Sequence, residues 1–414
     1  MKKLLALLLA LSMLLCVAGC GSDTTGDATS AASSKAPSSV AASSKVESTV
    51  SSQEEAFYSK TVVFTKADLD KANSTEYVKP KNVIYMIGDG MGLNDITICN
   101  KFSDFKFDFG LVLDQLKNQG FATTKSSSSD VTDSAASATA LATGFKTANS
   151  IIGKDRFGED LTNISEIARS VGKKIGIVTS DSVMGATPSG FSVHNISRDN
   201  TAEIARSFMK MKPDVLIGNG YTEFSSAVLG NEETKPMLST VNLANEFSNF
   251  EFCLTKSSKK DLPFFGFTGF SLTSGDYRLA QVTEMALKTL ENDDEGFFLM
   301  VENAGTDKAG HSNNMQGKVD NVAVFDKAVA VAVKYCMEHP DTVLIVTSDH
   351  ETGGVTLPEG DDYTLDQVKF TTTNHSGVNV GVFAIGYGTE YFNGKTVDNT
   401  DIAKFAIKAV KGEL

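Results

Sequence analysis

The chain alternates short apolar runs with longer amphipathic stretches. Asn82–Ile87, Lys174–Thr179, Asp214–Ile217, Phe297–Val301, Thr342–Thr347 and Val380–Ile385 are nearly continuous apolar runs, each ending in Gly, Ser, Asp or Asn. Strands of this kind suit a sheet covered on both faces. Between them, 162–171, 201–211, 278–291 and 319–338 carry helical spacing. The alternation predicts an α/β fold: a doubly wound, mostly parallel central sheet with helices on both faces. Ligands of such sheets bind beyond the carboxyl ends of the strands. Asp89, Asp181, Glu302, Asp349 and His350 all fall there. Residues 222–275 are less regular and read as an elaboration of the core with no assigned function. No internal repeat is visible.

The N-terminus breaks the pattern. Lys2 and Lys3 precede the apolar run Leu4–Val17, which is short for a membrane span. Val17-Ala18-Gly19-Cys20 resembles a bacterial lipobox, which implies removal of residues 1–19 and a lipid on Cys20. Residues 20–57 are rich in Ser, Ala and Thr and read as a disordered tether. The expected organisation is a signal peptide (1–19), a tether (20–57) and a catalytic domain (58–414). The expected location is extracytoplasmic, anchored to the membrane through Cys20. Cys99, Cys253 and Cys336 have no CxxC spacing and read as buried small apolar residues.

Composition adds exclusions. The chain has 414 residues, is 41% hydrophobic and carries a formal net charge of −13. It can bury a large core. No dense Lys/Arg run appears, so nucleic-acid binding is not expected.

Candidate chemistry starts at Asp130-Val-Thr-Asp-Ser-Ala-Ala-Ser-Ala-Thr-Ala-Leu-Ala-Thr143. Ser134 opens an Ala-rich helix that Gly144 stops, with Asp133 or Ser134 at the N-cap. The free N–H groups and dipole of a helix start favour an anion, phosphate above all. Of the five histidines, three lie near acids at strand ends or in loops. Asp307-Lys-Ala-Gly-His311 has i, i+4 spacing, Asp349-His350 follows a buried run, and His375 sits in Asn-His-Ser-Gly. Imidazole and carboxylate are expected ligands of catalytic zinc. Asp89 lies in Gly-Asp-Gly-Met-Gly, whose glycines allow close approach to a ligand. Its spacing is wrong for a dinucleotide fingerprint. Glu302 ends an apolar run, Thr187 precedes Pro188, and Arg198 closes His-Asn-Ile-Ser-Arg. A guanidinium suits two phosphate oxygens at once.

Taken together and in order, these motifs resemble the alkaline phosphatase family. The resemblance runs from Asn82 to Gly386 and implies hydrolysis of small-molecule phosphate monoesters through a phosphoserine. By motif, Asp307, His311 and His375 match the ligands of one zinc ion. Asp349, His350, Asp89 and the Ser134 oxygen match the second. Asp89, Thr187 and Glu302 match a magnesium site completed by water. Arg198 matches the phosphate clamp and Asp133 the residue that orients it. Lys308 is expected to help hold phosphate through water. The implied cofactors are two Zn2+ and one Mg2+, whose charge lets an acidic protein bind a dianion. Many members pair, so a homodimer is an outcome the family allows.

Two departures stand out. Gly185 occupies a position where the family commonly has Asp or His, and Lys308 is often His elsewhere. The short segment between His350 and His375 leaves little room for the family's large crown insertion, so none is expected. The competing readings are a phosphodiesterase, phosphonate hydrolase or sulfatase of the same superfamily, and a non-catalytic surface phosphate-binding lipoprotein.

Overall fold

The computed structural model describes residues 62–245, 262–268, 278–291 and 293–414. The expected signal segment, Cys20, the tether up to residue 57 and Cys253 lie outside them. In chain order the strands are β1 (Asn82–Gly88), β2 (Asn118–Thr123), β3 (Lys174–Ser182), β4 (Val215–Asn219), β5 (Asn242–Asn245), β6 (Phe264–Phe267), β7 (Phe297–Asn303), β8 (Thr342–Thr347), β9 (Glu351–Thr352), β10 (His375–Ser376), β11 (Val380–Ile385) and β12 (Thr396–Asp398). Among the described residues, ten of them form one sheet in the order β12-β2-β11-β8-β1-β7-β3-β4-β6-β5. β9 and β10 pair separately as a small antiparallel ribbon.

Within the large sheet, β11 runs antiparallel to β2 and β8, and the other pairings are parallel. The central strands β1, β7 and β8 are buried along their whole length. Alternate residues of β1 feed opposite faces: Ile84 and Met86 enter one core, Val83, Tyr85 and Ile87 the other. Helices Arg278–Leu290 and Met315–Glu338 contribute to the first core. Helices Ser134–Thr143, Ile164–Ser170, Thr201–Met211 and Asn399–Lys411 contribute to the second. The expected doubly wound fold is the observed one.

The stretch 222–275 takes a more specific form than its irregular pattern suggests. It supplies β5 and β6, which extend the sheet past β4 in parallel register. Residues between His350 and His375 build a satellite core from Val355, Tyr363 and Val368 against Ile98 and Val319. Cys99 and Cys336 are buried free thiols, as expected. No helix among the described residues is long and apolar enough to cross a membrane.

Candidate active site

The site forms where β1, β3, β7 and β8 end side by side. Parallel register puts Ile87 beside both Glu302 and Thr347, and Thr179 beside Glu302. Asp89, Glu302, Asp349 and His350 therefore converge because their strands stop at the same level. Gly90 adopts φ +69, and a Cβ there would lie 2.6 Å from Asp307 Cα. Only glycine lets the Asp89 loop press onto the Asp307 backbone this closely.

Ser134 is the first residue of its helix and is buried. Asp133 is the N-cap: its Oδ1 accepts from Ala136 N at 3.0 Å. Its Oδ2 accepts from Ser150 N at 2.9 Å and from Arg198 Nη1 at 3.2 Å. One carboxylate thus caps the helix that carries Ser134 and aims the arginine. The helix itself is anchored by Ser137 Oγ, which donates to Asp349 O at 2.7 Å.

His350 Nε2 sits 3.2 Å from Ser134 Oγ, 3.2 Å from Asp349 Oδ2 and 3.5 Å from Asp89 Oδ1. Its ring stacks on that of His375, with centroids 3.5 Å apart. His375 Nε2 lies 3.2 Å from His311 Nε2 and 3.4 Å from Asp307 Oδ1. The other ring nitrogens meet backbone carbonyls: His311 Nδ1 is 2.6 Å from Thr373 O, and His375 Nδ1 is 2.9 Å from Thr132 O. Those carbonyls keep a proton on Nδ1 and turn the Nε2 lone pairs toward each other. Two facing lone pairs at that distance call for a shared cation.

Electrostatics point the same way. Burial, then the charges of Asp349, Asp307 and Glu302, pushes Asp89 well above the carboxylate range. Burial pushes Glu302 up to about 7, with Asp181 adding to the rise against the Thr179 hydroxyl. Burial and Asp307 push Asp349 up to about 6. Asp307 is largely shielded from solvent, which raises its carboxyl, yet the imidazoles around it, His375 foremost, and the Thr352 hydroxyl hold it below the usual range. Burial and then His375 keep His350 well below its ordinary value, so its imidazole is neutral and able to ligate.

The donor set fits metal ions. Ligand atoms of Asp307, His311 and His375 lie within 4.8 Å of one another, as do those of Asp89, Asp307 and His350. Asp89 Oδ1, Asp349 Oδ2 and Thr187 Oγ1 are buried without a hydrogen-bond partner. Buried carboxylate oxygens without donors are costly unless a cation meets them. Asp307 belongs to both groups, whereas the motif assignment gave it to one zinc alone. The oxygen set Asp89, Thr187 and Glu302 suits magnesium.

Lys308 is half-exposed on helix Gly305–His311, with Nζ 2.5 Å from Asp181 Oδ1. Gly185 is the N-cap of helix Ala186–Gly190, which carries Thr187. His194 and His339 stand apart. His194 bridges Gly153 O and Glu166 Oε1, at 2.6 and 2.9 Å, and His339 stacks on Tyr335.

Several supporting residues carry no motif. Thr352 Oγ1 donates to Asp307 Oδ1 at 2.5 Å and lies 3.2 Å from His350 Nδ1. Thr179 Oγ1 donates to Glu302 Oε2 at 2.5 Å. Lys318 is wholly buried behind the site, 2.9 Å from Asp95 Oδ2 and 3.8 Å from Glu351 Oε1. It donates to Gly90 O and Thr352 O. Glu351 in turn accepts from Ser376, next to His375. Glu351 adjoins Asp349-His350 and was within reach of sequence reasoning; Lys318 carries no sequence signal of burial.

Comparison with known proteins gives the family. The alkaline phosphatase family model matches residues 80–239 and 272–367. Alkaline phosphatase 4 of Bacillus subtilis is 33% identical over 330 residues, covering 71% of this chain and 68% of that protein. Alkaline phosphatase of Escherichia coli is 28% identical, covering 65% of this chain and 70% of that protein. The structure of the alkaline phosphatase from the Antarctic bacterium TAB5 superposes with a TM-score of 0.68 at 29% identity, covering 81% of this chain and 99% of that one. A variant of that enzyme, with the same TM-score, is described with magnesium bound in its M3 site. The chain belongs to the alkaline phosphatase family and is a metal-dependent phosphomonoesterase.

Proposed function

We propose that the chain hydrolyses phosphate monoesters through a phosphoserine on Ser134. One observation carries this reading: a buried helix-start serine lies 3.2 Å from His350 Nε2, and its neighbour Asp133 holds Arg198. The Ser134 oxygen attacks phosphorus, the bond to the ester oxygen breaks, and the alcohol leaves with a proton from solvent. Water then splits the Oγ–P bond and phosphate departs. The helix N-terminus and the Arg198 guanidinium hold the non-bridging oxygens. Asp133 fixes the guanidinium so that little freedom is lost when phosphate binds.

Asp307, His311 and His375 would hold one zinc ion. Asp349, His350, Asp89 and Ser134 Oγ would hold the second. Asp89, Thr187 and Glu302 would hold magnesium, with water in place of a side chain at 185. Bound ions supply the positive charge that favours an ionised serine and an ionised leaving alcohol. Lys308 completes the phosphate surroundings from the rim. The proposal includes lipid attachment at Cys20 and an extracytoplasmic location, which the Lys2–Cys20 pattern supports.

The test is turnover of p-nitrophenyl phosphate against its bis-ester, before and after chelation and with zinc restored. Preference for the monoester, lost on chelation and regained with zinc, is expected. Preference for the bis-ester would contradict the monoesterase reading.

A further inference from the structure

Lys308 and Asp181 meet at the rim of the site, and no motif assigns Asp181 a role. Asp181 lies at the end of β3, two residues after Thr179, whose hydroxyl it shares with Glu302: Asp181 N donates to Thr179 Oγ1 at 3.0 Å. Its Oδ1 is 2.5 Å from Lys308 Nζ. Lys308 directly follows Asp307 on helix Gly305–His311.

We propose that Asp181 is a positioning residue that sets where the Lys308 ammonium sits and how much of its charge a bound phosphate feels. This rests on Lys308 facing phosphate. Two effects of the pair oppose each other. Holding a long, flexible lysine in one place favours phosphate binding. A carboxylate in contact with the ammonium weakens its field at the phosphate. Exposure decides between them. The Lys308 and Asp181 side chains are 55% and 38% exposed. A pair so exposed is held only weakly, so the ordering gain is small. The opposing charge acts whenever the two are in contact. Asp181 therefore makes product phosphate easier to release. The Asp181 backbone is held by Thr179, whose hydroxyl also bonds Glu302, so the carboxylate starts from a fixed point at the end of β3.

The experiment is a double-mutant cycle read by inorganic phosphate. Competitive inhibition and calorimetric binding of phosphate are measured for wild type, Asp181→Asn, Asp181→Glu, Lys308→Ala and the Asp181→Asn/Lys308→Ala double variant, each loaded with metal. Asp181→Asn is expected to tighten phosphate binding and lower KM by up to about fivefold, the scale of one exposed charge pair. Asp181→Glu should behave as wild type. In the Lys308→Ala background, Asp181→Asn should change nothing. No effect of Asp181→Asn on phosphate affinity would overturn the proposal, as would an equal effect with and without Lys308. Unchanged phosphate affinity in Lys308→Ala would instead overturn the placement of Lys308 at the phosphate, and the proposal with it.

Discussion

Replacing Lys318 by Met tests whether the buried ion cluster behind the site braces it. The substitution keeps an unbranched stem and deletes the charge. Lys318 and Asp95 are both fully buried, 2.9 Å apart, and Glu351 stands 3.8 Å away. Burial raises the Asp95 carboxyl from 3.8 to about 6 even though Lys318 pulls it down. At about 1.4 kcal/mol per unit, an ionised Asp95 already costs on the order of 3 kcal/mol at neutral pH. A folded value above the unfolded one means stability that is full below about pH 4 and is lost as pH rises through about 6. Without Lys318 the carboxyl climbs further and the loss deepens. Breaking a buried pair costs roughly 3–5 kcal/mol. Lys318→Met should therefore lose about that much at about pH 8 and clearly less at about pH 5, where Asp95 can take a proton. Adding Asp95→Asn should recover part of the loss. Urea unfolding at both pH values, with chelator throughout so that metal release plays no part, measures this. Zinc retained after dialysis reports on the site itself, because Thr352 O loses the Lys318 donor and Gly90 O keeps only Thr352 N. A loss below about 1 kcal/mol at about pH 8, or one independent of pH, would refute the reasoning.

Other outcomes follow from single contacts. His375→Ala should lose zinc and most activity, since His311 and Asp307 would be left without their third partner; full zinc content after dialysis would refute the ligand assignment. Gly185→Asp should reach half-maximal activation at lower added magnesium. Its φ of −59 suits a side chain, although a Cβ there would lie 3.0 Å from Ser182 O, so a small shift is needed; an unchanged or higher half-saturation point counts against it. The Glu166 bridge and the Gly153 carbonyl raise His194 above 6.5 against burial, while Glu166 falls below 4.5. The bridge thus stabilises between those values and loses strength as pH rises through the raised His194 value. His194→Gln should lower the melting temperature near about pH 6 but much less near about pH 9, with turnover unchanged. Cys20→Ala should move the protein from the detergent phase to the aqueous phase when expressed in its native host; equal partitioning of wild type and variant would refute lipid attachment.

Much of the fold was legible because central strands buried on both faces must be apolar throughout. The runs at 82, 174, 297, 342 and 380 each became a strand beginning at that residue. Strands that are polar, short or half-exposed escaped notice. β2 carries Asn118, Gln119 and Gly120, β12 has three residues, and β5 and β6 lie among polar turns. The candidate site was legible because Asp89, Glu302, Asp307, His311, Asp349 and His350 lie at or just after the ends of those same strands, so predicting the strand ends placed most of the chemistry. Thr352, Thr179 and Lys318 were not found, and Asp181 was placed at a strand end without its partner Lys308. Their roles come from partners far away in sequence, such as Lys318 with Gly90 and Thr179 with Glu302. No local spacing encodes such a contact.

The central claim is that Ser134 takes the phosphoryl group. Incubating the metal-loaded enzyme with radiolabelled phosphate at acid pH, quenching and mapping the labelled peptide tests it directly. The label should lie on Ser134 and be absent from a Ser134→Ala variant that still holds zinc. Label on any other residue, or undiminished labelling of Ser134→Ala, would contradict the account.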